Sequence, residues 1–169
     1  MKRNIVLVGY TSAGKTTVGQ EVAKRLSVPF FDTDTLSAAH LGCHQDDYIK
    51  QYGSDAYRKM QYPLVVETVP TGGVVIATAG GTLLHPPTRM WLAEHGTWVY
   101  LEAPFKILYE RLLRRDDRPQ SKWSQEAALQ RYEERLPLYK MADLRVDAAQ
   151  SVASVVEQVL CALQSRVFE

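Results

Sequence analysis

Short unbroken apolar runs alternate along the chain with longer stretches in which apolar side chains return every three or four residues. An unbroken run suits a strand buried on both faces, and the longer spacing suits a helix with one buried face. The runs predict strands at residues 4–9 (NIVLVG), 29–32 (PFFD), 74–77 (VVIA), 97–101 (TWVYL) and, briefly, 144–146. Helical spacing covers residues 15–26, 35–41, 47–68 with a break at Gly53, 88–95 closed by Gly96, about 105–114, 124–139 and 152–163. Strands alternating with helices predict an α/β fold: a five-stranded parallel sheet with helices on both faces. Such sheets take their ligands beyond the carboxyl ends of the strands, so the residues after each strand are the candidates for chemistry. No repeat, low-complexity tract or long linker interrupts the pattern, and residues 1–169 read as a single domain.

Composition narrows the partners. The 169 residues are 46% hydrophobic and 23% charged, the make-up of an ordinary globular domain with a sizeable core. Twenty Lys and Arg against 19 Asp and Glu leave a net charge of +1, without the basic excess of a nucleic-acid binder. Cys43 and Cys161 have no C-x-x-C spacing and are expected to be packing residues in a reducing compartment. The apolar run after Met1-Lys2-Arg3 is too short for a signal peptide. No stretch approaches the roughly 18 apolar residues of a membrane span. These features predict a cytoplasmic protein with neither a membrane nor a nucleic-acid partner. His40, His44, His85 and His95 have no transition-metal spacing. Trp91, Trp98 and Trp123 are expected to serve packing. The apolar stripe of residues 152–163 is expected to cover the sheet, and the chain to be a monomer.

After the first predicted strand stands Gly9-Tyr10-Thr11-Ser12-Ala13-Gly14-Lys15-Thr16-Thr17, a match to G-x-x-x-x-G-K-S/T. The glycines let the backbone turn and aim its amides at phosphate oxygens. The lysine, Lys15, reaches the β- and γ-phosphates, and the Thr16 hydroxyl ligates Mg²⁺. The helix that follows turns its positive dipole end to the same place. Glycines can also merely join a strand to a helix, but here the whole motif stands in its required context, strand before and helix after. That defines a nucleoside triphosphate site.

The other strand ends are also unusual. No N-K-x-D guanine motif accompanies the loop. The second strand ends in Phe31-Asp32-Thr33-Asp34, with two carboxylates at i and i+2 on one side of an extended segment. Beside a phosphate loop, one can hold the Mg²⁺ shell and the other engage an acceptor hydroxyl; equally, they can cap the next helix. Tyr57-Arg58 lies early in a helix, and Ala79-Gly80-Gly81 follows the third strand, where glycines permit close backbone approach. Arg114-Arg115-Asp116-Asp117-Arg118-Pro119 is a charged break suited to a lid that brings a cation onto phosphates. Arg135 stands two residues before Pro137, which is expected to end its helix. Taken singly, each has a plain structural explanation: a solvated arginine, a turn, a surface loop.

In this order, the motifs resemble the shikimate kinase family over nearly the whole chain: the G-K-T loop, FFDTD, Tyr-Arg, VIAT with its glycines, Arg-Pro, then R-x-P-x-Y. Ala142-Asp143-Leu144-Arg145-Val146-Asp147 is similar to that family's last strand and adenine loop. The resemblance implies the three-layer α/β/α P-loop kinase fold, with a lid near residues 112–124 and a substrate-binding helical region near 33–62. It also implies transfer of the γ-phosphoryl of ATP to the 3-hydroxyl of shikimate, with Mg²⁺, in aromatic amino-acid biosynthesis. By matching motif, Ser12, Ala13, Gly14, Lys15, Thr16, Thr17, Arg111, Arg118 and Gln150 would bind ATP. Thr16 would hold Mg²⁺, with Asp32 in its outer shell. Asp34, Arg58, Gly80, Gly81 and Arg135 would bind shikimate, and Lys15, Asp34 and Arg118 would carry catalysis. Two guanidinium groups suit a carboxylate, which each can grip with two parallel hydrogen bonds. Alternatives are a related kinase for another hydroxylated acid, such as gluconate, and a nucleotide-binding paralogue without catalysis.

The chain departs from the family pattern at Ala79, where a glycine is usual, and at Gln61, where a glutamate is usual. A methyl at position 79 is costly if the backbone there needs positive φ and silent otherwise. Gln61 is expected to accept a hydrogen bond from Arg58 without neutralising it. Ser12-Ala13 and Gln120-Ser121 also differ from the usual residues.

Overall fold

The computed structural model describes residues 3–114 and 122–165. Five strands, β1 (Asn4–Val8), β2 (Phe30–Asp32), β3 (Val75–Ala77), β4 (Gly96–Glu102) and β5 (Leu144–Asp147), form one parallel sheet in the order β2-β3-β1-β4-β5. Ile5 lies opposite Val75 on one side and Thr97 on the other. The sheet is covered on both faces, and Val6, Leu7, Val8, Val75, Ile76, Val99 and Leu101 are all sealed from water, which is why these strands read as continuous apolar runs. The chain builds one half of the sheet through β3 and crosses β1 to start the other half at β4. The carboxyl end of β1 therefore opens onto the switch-point crevice.

Among the described residues, eight α-helices flank the sheet: α1 (Lys15–Leu26), α2 (Thr33–Leu41), α3 (Gln45–Tyr52), α4 (Ser54–Thr68), α5 (Pro86–His95), α6 (Phe105–Leu113), α7 (Gln125–Tyr139) and α8 (Val152–Ser165). Among the described residues none is long and apolar enough to cross a membrane. α8 buries Val155, Val156 and Val159 and is joined to α1 by the Arg25–Glu157 ion pair.

Several boundaries differ from the sequence expectation for local reasons. α2 begins at Thr33 rather than 35, because Asp32 caps it at once. Gly96 closes α5 as expected, but in an extended conformation that also opens β4, where an added Cβ would lie 2.3 Å from Val6 Cγ2 and 3.0 Å from the Leu92 carbonyl. Pro137 does not end its helix; α7 runs on to Tyr139, and Pro63 likewise lies within α4. Both prolines are exposed, so water can hydrate the carbonyl that each ring deprives of a donor. A 3-10 turn at Thr82–Leu84 was not foreseen. Cys43 and Cys161 are exposed rather than packed.

Candidate active site

The phosphate loop is shaped by two left-handed residues, Ser12 (φ 65°) and Gly14 (φ 94°). Gly14 is the N-cap of α1, with no side-chain cap and no acid in the first turn. The first amides of a twelve-residue helix thus face the crevice without an internal anion. The Lys15 ammonium donates to the carbonyls of Gly9 and Tyr10, both at 2.8 Å, which fixes its head at the loop. Ser12, Gly14, Lys15, Thr16 and Thr17 line the cleft. The Ser12 hydroxyl is buried there with no hydrogen-bond partner among the described residues, the state of a polar group awaiting a ligand oxygen. Ala13 is not brought to that cleft: its side chain is in the core and its amide donates to the Tyr10 carbonyl at 3.2 Å. Tyr10 anchors the loop from below, buried against Phe105 and Tyr132, and its hydroxyl donates to the Ala128 carbonyl in α7 at 2.8 Å.

Asp32 caps the next helix and also bonds the phosphate loop. Its Oδ1 accepts from the amides of Asp34 (2.9 Å) and Thr35 (3.3 Å), capping α2, while its Oδ2 accepts from Thr16 Oγ1 at 2.7 Å. The segment is not extended through Asp34, which lies in the first turn of α2. The cap, not a strand, brings the two carboxylates to one cleft. One hydroxyl and one carboxylate beside a phosphate loop fit Mg²⁺, which takes few protein ligands and completes its shell with phosphate oxygens and water.

A second cleft, of about 320 Å³, adjoins the first and shares Thr11, Asp34 and Gly80 with it. Arg58, Arg135 and Gly81 line it as the sequence suggested. A Cβ on Gly80 would lie 3.1 Å from Arg135 Nη1 and 3.2 Å from Thr11 Oγ1, so a larger residue would press on that guanidinium. The Gly80 carbonyl is held by the Tyr139 hydroxyl at 2.9 Å. Arg58 pairs with the exposed Asp55 at 2.7 Å. Arg135 has no carboxylate partner among the described residues, and its Nε is buried without a hydrogen bond. Burial, then the charges of Arg58 and Lys59, hold the His85 imidazole below its ordinary value. Burial raises the Tyr57 hydroxyl, so it stays protonated; it donates to Gln45 at 3.0 Å.

The two departures from the family pattern resolve here. Positive φ among the described non-glycine residues occurs only at Ser12 and Ser27, so the Ala79 methyl costs nothing conformationally. Gln61 does not bond Arg58; it is buried and bonded elsewhere. Sequence reasoning also missed Thr11, Trp123 and Arg131 as cleft residues. The Arg131 guanidinium sits 4.3 Å from the Trp123 ring centroid, and the i, i+4 step from Arg131 to Arg135 along one helix was the available signal.

At the far end of the sheet, Arg111 donates to the carbonyls of Ala148 (2.7 Å) and Ala149 (3.2 Å). Gln150 and the Ala149 amide bond Asp147, holding its carboxyl below the usual range. Arg111 and Gln150 thus shape the loop after β5. Arg118, Arg115 and the middle of the expected lid lie outside the described residues.

A parallel α/β sheet with a G-x-x-x-x-G-K-T loop at its switch point, and an arginine-lined cleft beside it, defines a P-loop kinase of small molecules. The model of the shikimate kinase family matches residues 11–164, and the chain belongs to that family. A shikimate kinase of Ruegeria pomeroyi is 32% identical over 170 residues, 98% of this chain and 87% of its own length. One from Aromatoleum aromaticum is 38% identical over 165 residues, 95% and 94% of the two chains. The structure of shikimate kinase from Acinetobacter baumannii in complex with shikimate is similar with a TM-score of 0.91, at 27% identity, covering 100% of this chain and 97% of that one.

Proposed function

We propose that this kinase transfers the γ-phosphoryl of ATP to the 3-hydroxyl of shikimate. The observation that carries the proposal is the second cleft: two guanidinium groups, Arg58 and Arg135, converge on a space that Asp34 shares with the phosphate cleft. A carboxylate gripped by the two arginines would present the acid's hydroxyls to Asp34, at the border of the two sites.

In this reading the amides of Gly14 through Thr17 and the Lys15 ammonium receive the β- and γ-phosphates. Mg²⁺, held by Thr16 with Asp32 in its outer shell, supplies neutralisation of phosphate charge when bound. Asp34 orients the acceptor hydroxyl and takes its proton late, as suits a loose transition state that needs positioning and charge more than a strong base. Arg118 would add a cation from the lid. Arg111 and Gln150 support the adenine through the loop after β5.

The test is Mg²⁺-dependent ATP turnover with shikimate, with quinate and gluconate as comparison acceptors and the monophosphate identified by mass. Turnover with shikimate alone supports the proposal, and turnover with another acid in its place overturns it. Lys15→Met should abolish transfer in a protein that still folds. An activity that survived this change would not depend on the phosphate loop.

A further inference from the structure

One turn beyond Arg58, Gln61 is 1% exposed, and its amide bonds in every direction. Its Oε1 accepts from Thr82 Oγ1 at 2.9 Å, and its Nε2 donates to Ser37 Oγ at 3.0 Å and to the Thr33 carbonyl at 3.2 Å. The Ser37 hydroxyl donates to that same carbonyl at 2.8 Å. Thr33 Oγ1 accepts from the Ala79 amide at 2.8 Å, which leaves its own proton for Thr82 Oγ1, 3.4 Å away. The donors therefore run one way: Ala79 amide to Thr33 hydroxyl, to Thr82 hydroxyl, to the Gln61 carbonyl oxygen, and from the Gln61 amide nitrogen to Ser37 and the Thr33 carbonyl. All four side chains are buried, so any break strands a polar group away from water.

Gln61, Ala79 and Thr82 line the second cleft themselves, and three of the segments continue into its other residues. Thr33 precedes Asp34, Ala79 precedes Gly80, Thr82 follows Gly81, and Gln61 shares α4 with Arg58. We propose that Gln61 is the positioning residue of the acceptor site, holding these three segments in register, and that its amide, rather than a carboxylate, is required there. The proposal rests on reading this cleft as the acceptor site. A carboxylate only accepts. Glutamate here would lose both donors and set an anion against the Thr33 carbonyl. Burial favours its protonated form, which restores one donor.

Gln61→Glu tests this. At about pH 8 its KM for shikimate should rise about tenfold or more, while KM for ATP stays within about twofold, because the phosphate loop lies outside the circuit. Between about pH 8 and pH 6 the ratio of variant to wild-type KM should fall as the glutamate takes up its proton. A merely structural defect would titrate in KM for ATP and in kcat as well, not in KM for shikimate alone. Thr82→Val, nearly isosteric, removes the donor to Gln61 together with the acceptor of the Thr33 hydroxyl, and should raise the shikimate KM about threefold to tenfold at every pH; it carries the test if Gln61→Glu does not fold. An unchanged or lower shikimate KM in Gln61→Glu, as an ion pair with Arg58 would give, overturns the proposal, as does an equal rise in KM for ATP. Wild-type protein that leaves shikimate unphosphorylated defeats the acceptor reading itself and is recognised before any variant is compared.

Discussion

Arg135 combines a charge without a carboxylate partner among the described residues and a buried Nε without a hydrogen bond. Such a group is costly until an anion meets it. Arg135→Lys keeps the charge but loses the planar fork. The expected result is a rise in acceptor KM of about 10- to 100-fold with KM for ATP nearly unchanged, read by steady-state kinetics. His85 sits near Arg58 of this arginine-lined wall, and burial first, then the charges of Arg58 and Lys59, set its titration. Its folded pKa lies below the ordinary 6.5, so the unfolded chain binds the proton more readily. The associated stability is complete above 6.5 and is lost as pH falls through that value. His85→Asn should therefore flatten the decline in thermal stability below about pH 6.5, measured by melting in a pH series. The residues of this wall were legible as types in a fixed order, but their partners were not. Gln61 looked like a companion of Arg58 because they lie three apart on one helix. The contest was settled by α2 and the 3-10 turn, which offer Gln61 a sealed set of donors and acceptors, while Arg58 pairs with Asp55 at the cleft.

At the scale of elements, Asp32 couples the start of α2 to the Thr16 hydroxyl. Asp32→Ala should destabilise the fold by about 1 kcal/mol through the lost cap, a fall in Tm of roughly 2–4 °C for a chain of this size. It should also raise the Mg²⁺ concentration needed for half-maximal rate, and the two effects can be measured separately by melting and by metal titration. Every predicted strand and helix exists, because burial on two faces and burial on one leave different periods in the sequence. The boundaries failed where a residue type has two uses. Gly96 reads as a helix stop and is one, yet it also opens β4, at a place where β1 and α5 leave no room for a side chain. Pro137 reads as a terminator, yet on an exposed face a helix can bend and hydrate past it. The turn at Thr82–Leu84 is too short to carry any period.

At the scale of the whole molecule, the two clefts share a wall, and ligands that bind only the folded chain add to its stability. ATP with Mg²⁺ at 100 times its Kd should contribute about 2.7 kcal/mol. That corresponds to a Tm rise of roughly 5–11 °C, and scanning calorimetry against ligand concentration checks it. This architecture was legible because parallel α/β sheets place their sites by rule. The meeting of residues 34, 58, 80 and 135 at one cleft was not legible from spacing alone, since it depends on strand order, and here the family resemblance supplied what periodicity could not.

The place of β1 in the sheet bears on how the molecule is made. Residues 4–8 are synthesised before both strands they pair with, β3 and β4, the latter ending at Glu102. At translation rates of about 5–20 residues per second, the apolar NIVLV segment waits roughly 5–20 seconds for both neighbours. During that time both its edges are open, and the phosphate loop has no wall to stand on. The nascent chain, rather than the finished enzyme, is the form most exposed to chaperones and to aggregation, and a ribosome stalled before β4 would release a fragment that cannot bind nucleotide.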